Sequence, residues 1–329
     1  MSGEIIYVAL GGTISMRIVD GLAVPELKAA ELAAIAGIEA APVDVATVGG
    51  PQLDFPTLVR AERVIRAAAE RGATGAIVTL GTDAIEEVAA FFSYCGPWPL
   101  NVVITGAMVP GAEPGSDGPA NLRDAAAVAG GTLLEEAVVV FAGKVALARA
   151  VVKISGLELS PFTSPTERSW SVAEVIAAQG LPGARNPPPV PGSPGEATVD
   201  VPIISSMLAA TPTPTPAPTN FPPALVFVAS GAGNLTPDAA LTATTALRHG
   251  SVVAIATRAL DRRLSPGYGY PGGSGTLAAA GAILAAGMSS YRLRMLMLIA
   301  LSQGQRGAEL KQIVVDHVTA ITTVLSQTS

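Results

Sequence analysis

Three segments of the chain place hydroxyl, carboxylate or small residues directly after apolar runs that are typical of buried strands. These segments are Gly11–Thr13, Thr79–Asp83 and Thr105–Met108. In open parallel sheets, ligands bind outside the carboxyl ends of the strands, so the three segments are expected to line one cleft. The glycines before Thr13 let the backbone pass close to a ligand and deliver the threonine hydroxyl at the sheet edge. The pattern therefore predicts a cleft lined by hydroxyl groups.

Histidine and cysteine are scarce, which limits the chemistry that this cleft can perform. His249 and His317 are the only imidazoles, and because neither stands in a recognisable motif, both are predicted to lie on helix surfaces. The single Cys95 can form neither an intrachain disulfide nor a cysteine zinc site. The chemistry must then use hydroxyl, carboxylate and ammonium groups, and we expect no metal and no cofactor.

The elements that position the cleft alternate regularly through the first half of the chain. Short apolar runs separated by helical patterns are typical of βαβ units in a parallel sheet that is buried on both faces. The predicted strands cover residues 4–10, 43–48, 75–80, 101–107 and 137–142. The predicted helices lie near residues 26–37, 57–71, 83–94 and 118–129. The pattern indicates a doubly wound, mostly parallel α/β domain with right-handed crossovers.

Two proline-rich blocks separate this domain from a second one. Proline at this density removes backbone donors and favours extended structure, so residues 183–223 are predicted to form a linker, with a short strand at Val201–Ser206. The predicted domains are therefore residues 1–182, catalytic, and 224–329, a smaller α/β domain. In the second domain we expect strands at 224–230 and 251–257 and helices near 236–248, 275–287, 289–302 and 307–326.

Composition argues against several classes of partner. The net charge is −6 and no basic run occurs, which argues against nucleic-acid binding. Charged residues interrupt every apolar stretch well short of the roughly 20 residues that a transmembrane helix needs, so we expect no membrane partner. The N-terminus lacks a basic signal region, which favours the cytoplasm. Only 14% of the residues are charged, so subunit contacts are expected to cover part of the surface.

Each motif has a simpler interpretation when it is taken alone. Gly-Gly-Thr is typical of a tight turn, and it lacks the third glycine and the ribose-binding acid of a nicotinamide-dependent dehydrogenase. Asp83 and Glu86 have the spacing of a helix capping box. Lys153 could be an ordinary solvated lysine. The function prediction therefore depends on the motifs occurring together.

In combination, the segments resemble the bacterial-type L-asparaginases and their amidohydrolase relatives. The resemblance is carried by VALGGTISM, IVTLGTDAIEEVAAFF, VVITGAMVPGAEPGSDGPANLRDAAAVA, ALARAVVKISG, SGAGNLTPDA and GSGTLAAAGAI, in that order. It extends over nearly the whole chain apart from the proline blocks. It implies the asparaginase fold, with a larger N-terminal and a smaller C-terminal α/β domain, and assembly as a homodimer or homotetramer with the site near a subunit interface.

The resemblance also implies roles for individual residues. Thr13 matches the nucleophile that forms an acyl-enzyme with a small-molecule amide substrate. Thr82, Asp83 and Lys153 match a buried, hydrogen-bonded triad that relays protons and activates water. The remaining matched positions are implied to bind substrate, with Gly12 and Gly81 offering oxyanion N–H groups and Asn234 reaching a neighbouring subunit's site. These substrate-binding positions are Gly12, Gln52, Gly81, Ala107, Met108 and Asn234.

The chain departs from the family pattern at positions that surround the triad or recognise a free amino acid. Leu80 and Ala84 stand where the family has histidine and threonine, and the Ile14–Pro25 loop has no tyrosine to polarise the nucleophile. Gly50 or Pro51 replaces a serine that holds the substrate's α-carboxylate. Residues 264–274 contain no carboxylate to bind the α-amino group. A buried charge without such partners costs several kcal/mol.

The sequence therefore predicts a threonine-dependent amidohydrolase whose substrate is a larger or less charged amide than asparagine, with a role in specialised metabolism. Two alternatives stay open. The chain could be an ordinary L-asparaginase in which other residues replace the lost contacts, or a non-catalytic relative that binds a small molecule. Retention of Thr13, Thr82, Asp83 and Lys153 together counts against the second alternative.

Overall fold

A computed structural model describes residues 4–165, 167–184, 190–196, 199–208 and 221–326. The chain divides into two compact units, Met1–Pro187 and Pro188–Ser329, which are described separately. Large parts of the predicted linker, residues 185–189, 197–198 and 209–220, lie outside the described residues.

The first unit contains eleven described strands and five described α-helices. The strands are β1 (Ile5–Gly11), β2 (Met16–Val19), β3 (Leu22–Pro25), β4 (Ala41–Val48), β5 (Gly75–Thr79), β6 (Asn101–Thr105), β7 (Val138–Phe141), β8 (Lys144–Leu147), β9 (Val152–Lys153), β10 (Phe162–Thr163) and β11 (Ser169–Ser171). The helices are α1 (Ala29–Ala36), α2 (Phe55–Glu70), α3 (Ile85–Tyr94), α4 (Gly118–Ala129) and α5 (Val172–Ala178).

Seven of these strands form one sheet in the order β11-β8-β7-β6-β5-β1-β4. Strands β4, β1, β5, β6 and β7 are parallel to one another, β8 is antiparallel to β7, and the edge strand β11 is antiparallel to β8. From β1 the chain moves outward to β4 and then returns to β5 on the other side of β1. The strand order therefore reverses between β1 and β5, and the carboxyl ends of these strands form the crevice where ligands bind in such sheets.

Helices cover both faces of the sheet. Helices α1, α4 and α5 pack on the face that buries Tyr7 and Trp170, while α2 and α3 cover the other face, where Phe91 and Phe92 are fully buried. Burial of an aromatic side chain of this size contributes about 1.5–3 kcal/mol. The predicted doubly wound, mostly parallel domain is confirmed, and its rigid core fixes the strand ends.

The sequence patterns missed a hairpin directly after the first strand. Strands β2 and β3 pair in antiparallel register through a turn at Asp20 and Gly21, both with positive φ. The patterns also missed β8–β11 and α5, which are short and follow one another without a long periodic segment. The predicted helix at 26–37 begins only at Ala29 because the hairpin ends at Pro25.

The second unit is a smaller sheet with helices. Four parallel strands follow the order β12-β13-β14-β15, with β12 (Ile203–Ser205), β13 (Ala224–Ala229), β14 (Val252–Thr257) and β15 (Ile283–Leu284). Its described helices are α6 (Pro237–Arg248), α7 (Ser274–Ala279), α8 (Ser290–Ser302) and α9 (Gly307–Ser326). The helix predicted for 275–287 stops at Ala279 because Gly281 adopts a φ of 105° and the chain turns into β15.

Part of the predicted linker packs onto this second unit. The backbone N–H of Gly195 donates to Ser302 Oγ at 2.9 Å, and the Gln303 amide donates to the carbonyl oxygens of Pro191 and Ser193. Arg294 donates to the carbonyl oxygen of Val201 at 3.0 Å. The described residues between 190 and 208 therefore contribute structure to the second unit.

The two histidines differ in their surroundings. His249 is exposed at the end of α6 and stacks on Phe221, with ring centroids 5.0 Å apart. His317 is fully buried on the face of α9 that also buries Val314 and Val318, so the surface prediction was wrong for His317. The period of the apolar residues around it, three and four positions apart, gave the signal. Among the described residues, no helix is long and apolar enough to cross a membrane.

Candidate active site

The backbones that follow β1 and β5 touch each other at the reversal of the strand order. Gly12 adopts a φ of 82°, and a Cβ at this position would overlap the Gly81 backbone nitrogen. Its own N–H donates to the carbonyl oxygen of Val48 at 2.8 Å. Only glycine combines this φ with so close an approach. The contact brings the two predicted threonines, Thr13 and Thr82, to neighbouring positions at the sheet edge.

Thr13 begins a single 3₁₀ turn, Thr13–Ser15, that leads into the hairpin. The turn is fastened at both ends, because Ser15 Oγ donates to the Gly12 carbonyl at 2.8 Å and the Gly111 N–H donates to the Thr13 carbonyl at 3.2 Å. The Thr13 side chain is partly exposed, and its hydroxyl makes no hydrogen bond within the described part of the chain. The main chain is thus fixed, and the hydroxyl is left for a ligand.

Thr82 and Lys153 are in direct contact although 71 residues separate them. Lys153 Nζ donates to Thr82 Oγ1 at 2.8 Å, and the Thr82 side chain is buried. Burial lowers the pKa of the Lys153 ammonium, and the nearby carboxylates of Asp83 and Glu86 raise it again in part. The net direction is downward, so the neutral amine is easier to form than in a free lysine. This pair can therefore exchange a proton with a bound water.

Asp83 lies beside Thr82 but is exposed, and its carboxylate makes no hydrogen bond to Thr82 or Lys153, so the expectation of a buried, hydrogen-bonded triad is wrong for Asp83. Its Oδ1 atom occupies the space next to Gly50, where any Cβ would overlap it, and a Cβ at Gly81 would lie 2.7 Å from the same atom. Gly50 follows β4 in a 3₁₀ turn. The segments that follow β4 and β5 therefore meet at the Asp83 carboxylate.

The segment that carries Lys153 is anchored by buried charge. Arg149 forms an ion pair with Glu136, and its Nη2 atom lies 3.5 Å from Glu167. Ser93 Oγ donates to Glu136 at 3.0 Å. Burial raises the pKa of the Glu136 carboxyl, while Arg149 and Ser93 oppose that rise. The sequence analysis missed this network because its members lie in four different segments.

A loop after β6 forms another wall of the site, and Asp117 holds it. The Asp117 carboxylate accepts the backbone N–H groups of Met108 and Val109 at 2.9–3.0 Å. Asn121 donates to Asp117 and to the Gly106 carbonyl. A carboxylate and an amide four residues apart at the start of α4 were the available signal, since such pairs share one helix face.

The predicted substrate-binding residues are not equivalent in the structure. The Gly12 N–H is bonded to Val48, so Gly12 does not offer it to an oxyanion, which corrects that prediction. The N–H groups of Gly81 and Thr82 make no hydrogen bond to a described residue and remain suited to that role. Ala107 is fully buried, so only its backbone can face a ligand.

The other predicted positions are partly engaged in local contacts. The Gln52 side-chain oxygen accepts the Gly49 N–H at 2.9 Å, which leaves its NH₂ group for a ligand. Met108 is half-buried, with its backbone N–H on Asp117. Asn234 lies in the second unit, where its side-chain oxygen accepts the Ser274 N–H at 3.2 Å. Its predicted role toward a neighbouring subunit stays a prediction.

Apolar side chains surround these polar groups. Leu80 is fully buried and Ala84 nearly so, which places Leu80 within the packed interior. The hairpin after Thr13 exposes Ile18, Leu22 and Val24, with Leu22 71% exposed. Within the described residues, no group of three or more histidine, cysteine, aspartate or glutamate side chains could hold a metal ion.

Both units match protein-family models. Residues 4–179 match the N-terminal asparaginase domain, and residues 201–314 match the C-terminal domain of glutaminases and asparaginases. A probable L-asparaginase from Deinococcus radiodurans is 32% identical over 246 residues, which cover 74% of this chain and 75% of the relative. L-asparaginase 2 from Bacillus subtilis is 34% identical over 174 residues, 47% of this chain and 45% of that protein.

Solved structures agree with the fold. The thermostable L-asparaginase from Thermococcus kodakarensis superposes with a TM-score of 0.76 at 22% identity, covering 95% of this chain and 98% of the other. A probable cytoplasmic L-asparaginase from Campylobacter jejuni gives a TM-score of 0.78 at 20% identity, with 95% and 99% coverage.

Proposed function

The chain belongs to the asparaginase family of amidohydrolases, and from that premise we propose that it cleaves an amide through an acyl-enzyme on Thr13. The observation that carries the proposal is the Lys153–Thr82 hydrogen bond of 2.8 Å, in a site where the backbones beside Thr13 and Thr82 touch. A nucleophile and a proton-transfer pair at one strand-end crevice are the groups that amide hydrolysis in two steps requires.

The proposed reaction has an acylation and a deacylation half. Thr13 Oγ attacks the amide carbonyl carbon, its proton passes to the leaving nitrogen, and the C–N bond breaks to release ammonia or an amine. The developing oxyanion accepts hydrogen bonds from the backbone N–H groups of Gly81 and Thr82, which have no other described partner. In the second half, Lys153 takes a proton from water through Thr82. The resulting hydroxide attacks the ester, the Thr13–acyl C–O bond breaks, and Lys153 returns its proton through Thr82 to Thr13 as the acid leaves.

The downward pKa shift of Lys153 supports its role as the base of this step. An ordinary lysine, with a pKa of about 10.4, is almost wholly protonated at neutral pH and cannot accept a proton. Burial of the ammonium lowers the pKa, and Asp83 and Glu86 prevent a larger fall. A base poised closer to the working pH is the arrangement that general base catalysis favours.

We propose that the substrate is an amide without the free α-carboxylate of asparagine. Gly50 and Pro51 offer no hydroxyl to such a group. The Asp83 carboxylate lies against Gly50, so a second carboxylate there would meet a like charge. A neutral or cationic N–H donor fits beside Asp83 better than an anion does.

The hairpin supports an apolar part of the substrate. Val19, Leu22 and Val24 are exposed in the segment that directly follows the Thr13 turn, and the strand register places them on one face of the hairpin, since Val19 pairs with Leu22. Exposed apolar clusters mark binding surfaces more often than isolated apolar residues do. An aliphatic or N-substituted amide would bury these side chains. The larger, less charged amide expected from the sequence has this character, and its place in specialised metabolism stays a prediction.

Ordinary L-asparagine hydrolysis is the second candidate. It is favoured by the relatives, because the Deinococcus radiodurans protein, over three quarters of its length, is a probable L-asparaginase. In that case other side chains, including those of a neighbouring subunit, would hold the α-carboxylate. Assembly as a homodimer or homotetramer and a cytoplasmic location likewise remain predictions, the first testable by light scattering after gel filtration.

An amide panel separates the two candidates. Ammonia or amine release would be followed for L-asparagine, L-glutamine, aliphatic amides and N-substituted amides, with the Thr13→Ala variant as the control for each. We expect an aliphatic or N-substituted amide to give the highest kcat/KM. Hydrolysis of L-asparagine as the best substrate would favour the second candidate, and turnover by Thr13→Ala equal to that of the parent would refute the nucleophile.

A further inference from the structure

We propose that Glu86 is a positioning residue, which holds the main chain of Lys153 against the start of α3 so that the lysine amine meets Thr82. This inference rests on the proposed role of Lys153. Glu86 contacts neither the substrate nor the reacting atoms, and it acts through the lysine. Nothing in the sequence pattern assigned it this role, since its spacing to Asp83 indicated a capping box.

Two hydrogen bonds attach Lys153 to the same stretch of chain. Its Nζ donates to Thr82 Oγ1 at 2.8 Å, and its backbone N–H donates to Glu86 Oε1 at 3.0 Å. Thr82 and Glu86 are four residues apart and flank the start of α3. The backbone and the amine of Lys153 are therefore both bound to the segment at the start of α3.

The strand that carries Lys153 needs such a fastening. Strand β9 has two residues and pairs with the two residues of β10, so the ladder itself provides few hydrogen bonds. The lysine stem has four methylene groups and many rotamers, and the position of its backbone decides where the amine can reach. A displacement of about 1 Å at a catalytic group can lower a rate about 100-fold.

The capping interpretation of Glu86 does not hold in the structure. Helix α3 has Ala84 as its N-cap and no side-chain capping bond, so the Glu86 carboxylate is directed to Lys153 instead. This hydrogen bond joins residues that are 67 positions apart in the chain, so it connects two elements and does not cap the helix. The Glu86 charge also acts on the lysine.

Two carboxylates face Lys153 from the elements packed around it. Asp83 comes from the turn before α3 and Glu86 from α3, while the paired strand β10 contributes only Phe162 and Thr163. Both carboxylates raise the pKa of Lys153 against the effect of burial. Removing the Glu86 charge should therefore lower that pKa, an effect that a purely structural residue would not produce.

The chain has only four lysines, Lys28, Lys144, Lys153 and Lys311, so each can be followed by NMR in protein labelled with ¹³C-lysine. The Lys153 signal is assigned by its loss in Lys153→Arg. Glu86→Gln keeps an oxygen for the Lys153 N–H but removes the charge, whereas Glu86→Ala removes both. The exposed Glu158→Gln is the matched control for loss of one negative charge nearby.

We expect the Lys153 pKa to fall in both Glu86 variants and to stay unchanged in Glu158→Gln. On the best amide of the panel, Glu86→Gln should keep kcat within about twofold at the plateau pH, and Glu86→Ala should lose about tenfold or more. An unchanged Lys153 pKa in Glu86→Gln, or a parent-like kcat in Glu86→Ala, would overturn the proposal.

The titration needs no turnover, so it separates this proposal from the function itself. If no amide is hydrolysed, or if Thr13→Ala is as active as the parent, the proposed function fails while the Lys153 titration still tests Glu86. If Glu86→Ala does not fold, Glu86→Asp replaces it, because it keeps the charge but is one methylene too short for the hydrogen bond to the Lys153 backbone. A parent-like kcat in Glu86→Asp would then overturn the proposal.

Discussion

The two halves of the candidate site are held in different ways. The proton-transfer half is fixed by side chains, since Lys153 bonds to Thr82 and Glu86, and Arg149 anchors the preceding segment in a buried ion pair. The nucleophile half is fixed by backbone contacts, and the Thr13 hydroxyl has no partner among the described residues. The proposed proton-transfer pair and the proposed nucleophile are therefore held by different kinds of contact.

The two halves also differ in how they tolerate a change. Loss of one partner of the Lys153–Thr82 hydrogen bond would leave a polar group without a partner in a largely buried place, at about 1–3 kcal/mol or more. Departures from the family pattern are not confined to exposed positions, because Gly50, Leu80 and Ala84 are buried. The β2–β3 hairpin is exposed, and its side chains can change with the substrate at little expense to stability.

The largest effect is expected from the nucleophile itself. Thr13→Ala should lower kcat/KM at least about 1,000-fold, because the neighbouring hydroxyls of Ser15 and Thr82 are each engaged in a hydrogen bond and do not replace it as nucleophile. Ammonia or amine release on the best amide of the panel measures it. Thr132→Ala, an exposed threonine in a turn away from the site, should retain parent activity. A kcat/KM of Thr13→Ala within tenfold of the parent value would show that Thr13 is not the nucleophile.

The next largest effect concerns the backbone contact between the halves. Gly12→Ala combines strain at a φ of 82° with overlap on the Gly81 backbone, so it should lower the free energy of unfolding by about 3 kcal/mol or more. Gly21→Ala is the matched control, since Gly21 has a φ of 80° but no atom within 4 Å, and it should cost about 1–2 kcal/mol. Urea denaturation measures the free energy of unfolding of both variants. Equal losses of this free energy in Gly12→Ala and Gly21→Ala would contradict the close contact between Gly12 and Gly81.

A smaller effect is expected at the position of the lost serine. Gly50→Ser should lower kcat/KM about 10- to 100-fold on the best amide, because the new Cβ must displace the Asp83 carboxylate. It should not create efficient asparagine hydrolysis. Gly49→Ser is the matched control, since a Cβ there meets only Gln52 Oε1 at 3.4 Å. A gain of asparaginase activity in Gly50→Ser would show that the missing hydroxyl alone sets the substrate.

The pH dependence gives the smallest expected signal. If the neutral amine of Lys153 is the base, the rate rises with pH through the Lys153 pKa and then reaches a plateau. Because burial lowers that pKa, the midpoint of the rise should lie below the usual lysine value of about 10.4. A pH–kcat profile measures it, with Lys311→Met as an exposed-lysine control. A midpoint at or above 10.4 would remove Lys153 from the role of base.

The strand-end positions of Thr13 and Thr82 could be predicted from sequence, because strand periodicity and the strand-end rule are local signals. The hairpin after Thr13 could not, since its short strands expose alternating apolar residues without a buried face. The contacts of Lys153 with Glu86 and of Asp83 with Gly50 join residues far apart in the chain. Such contacts depend on how the strand ends converge, and periodicity carries no information about that.

The surroundings of the reacting groups also could not be predicted from the sequence. The lowered pKa of Lys153 is the outcome of opposing effects, burial against two carboxylates, whose balance depends on the folded geometry. Leu80, which the sequence placed near the triad, is fully buried, and this burial could not be read from the motif. A motif identifies the reacting groups, while the space around them is known only after the chain is folded.

The central claim is that the chain is a Thr13-dependent amidohydrolase whose site does not favour the free α-carboxylate of asparagine. The most direct test compares kcat/KM for L-asparagine with that for an uncharged amide of similar size, such as butyramide, in the parent and in Thr13→Ala. The account predicts a higher value for the uncharged amide and loss of both activities in the variant. A clearly higher value for L-asparagine would contradict it.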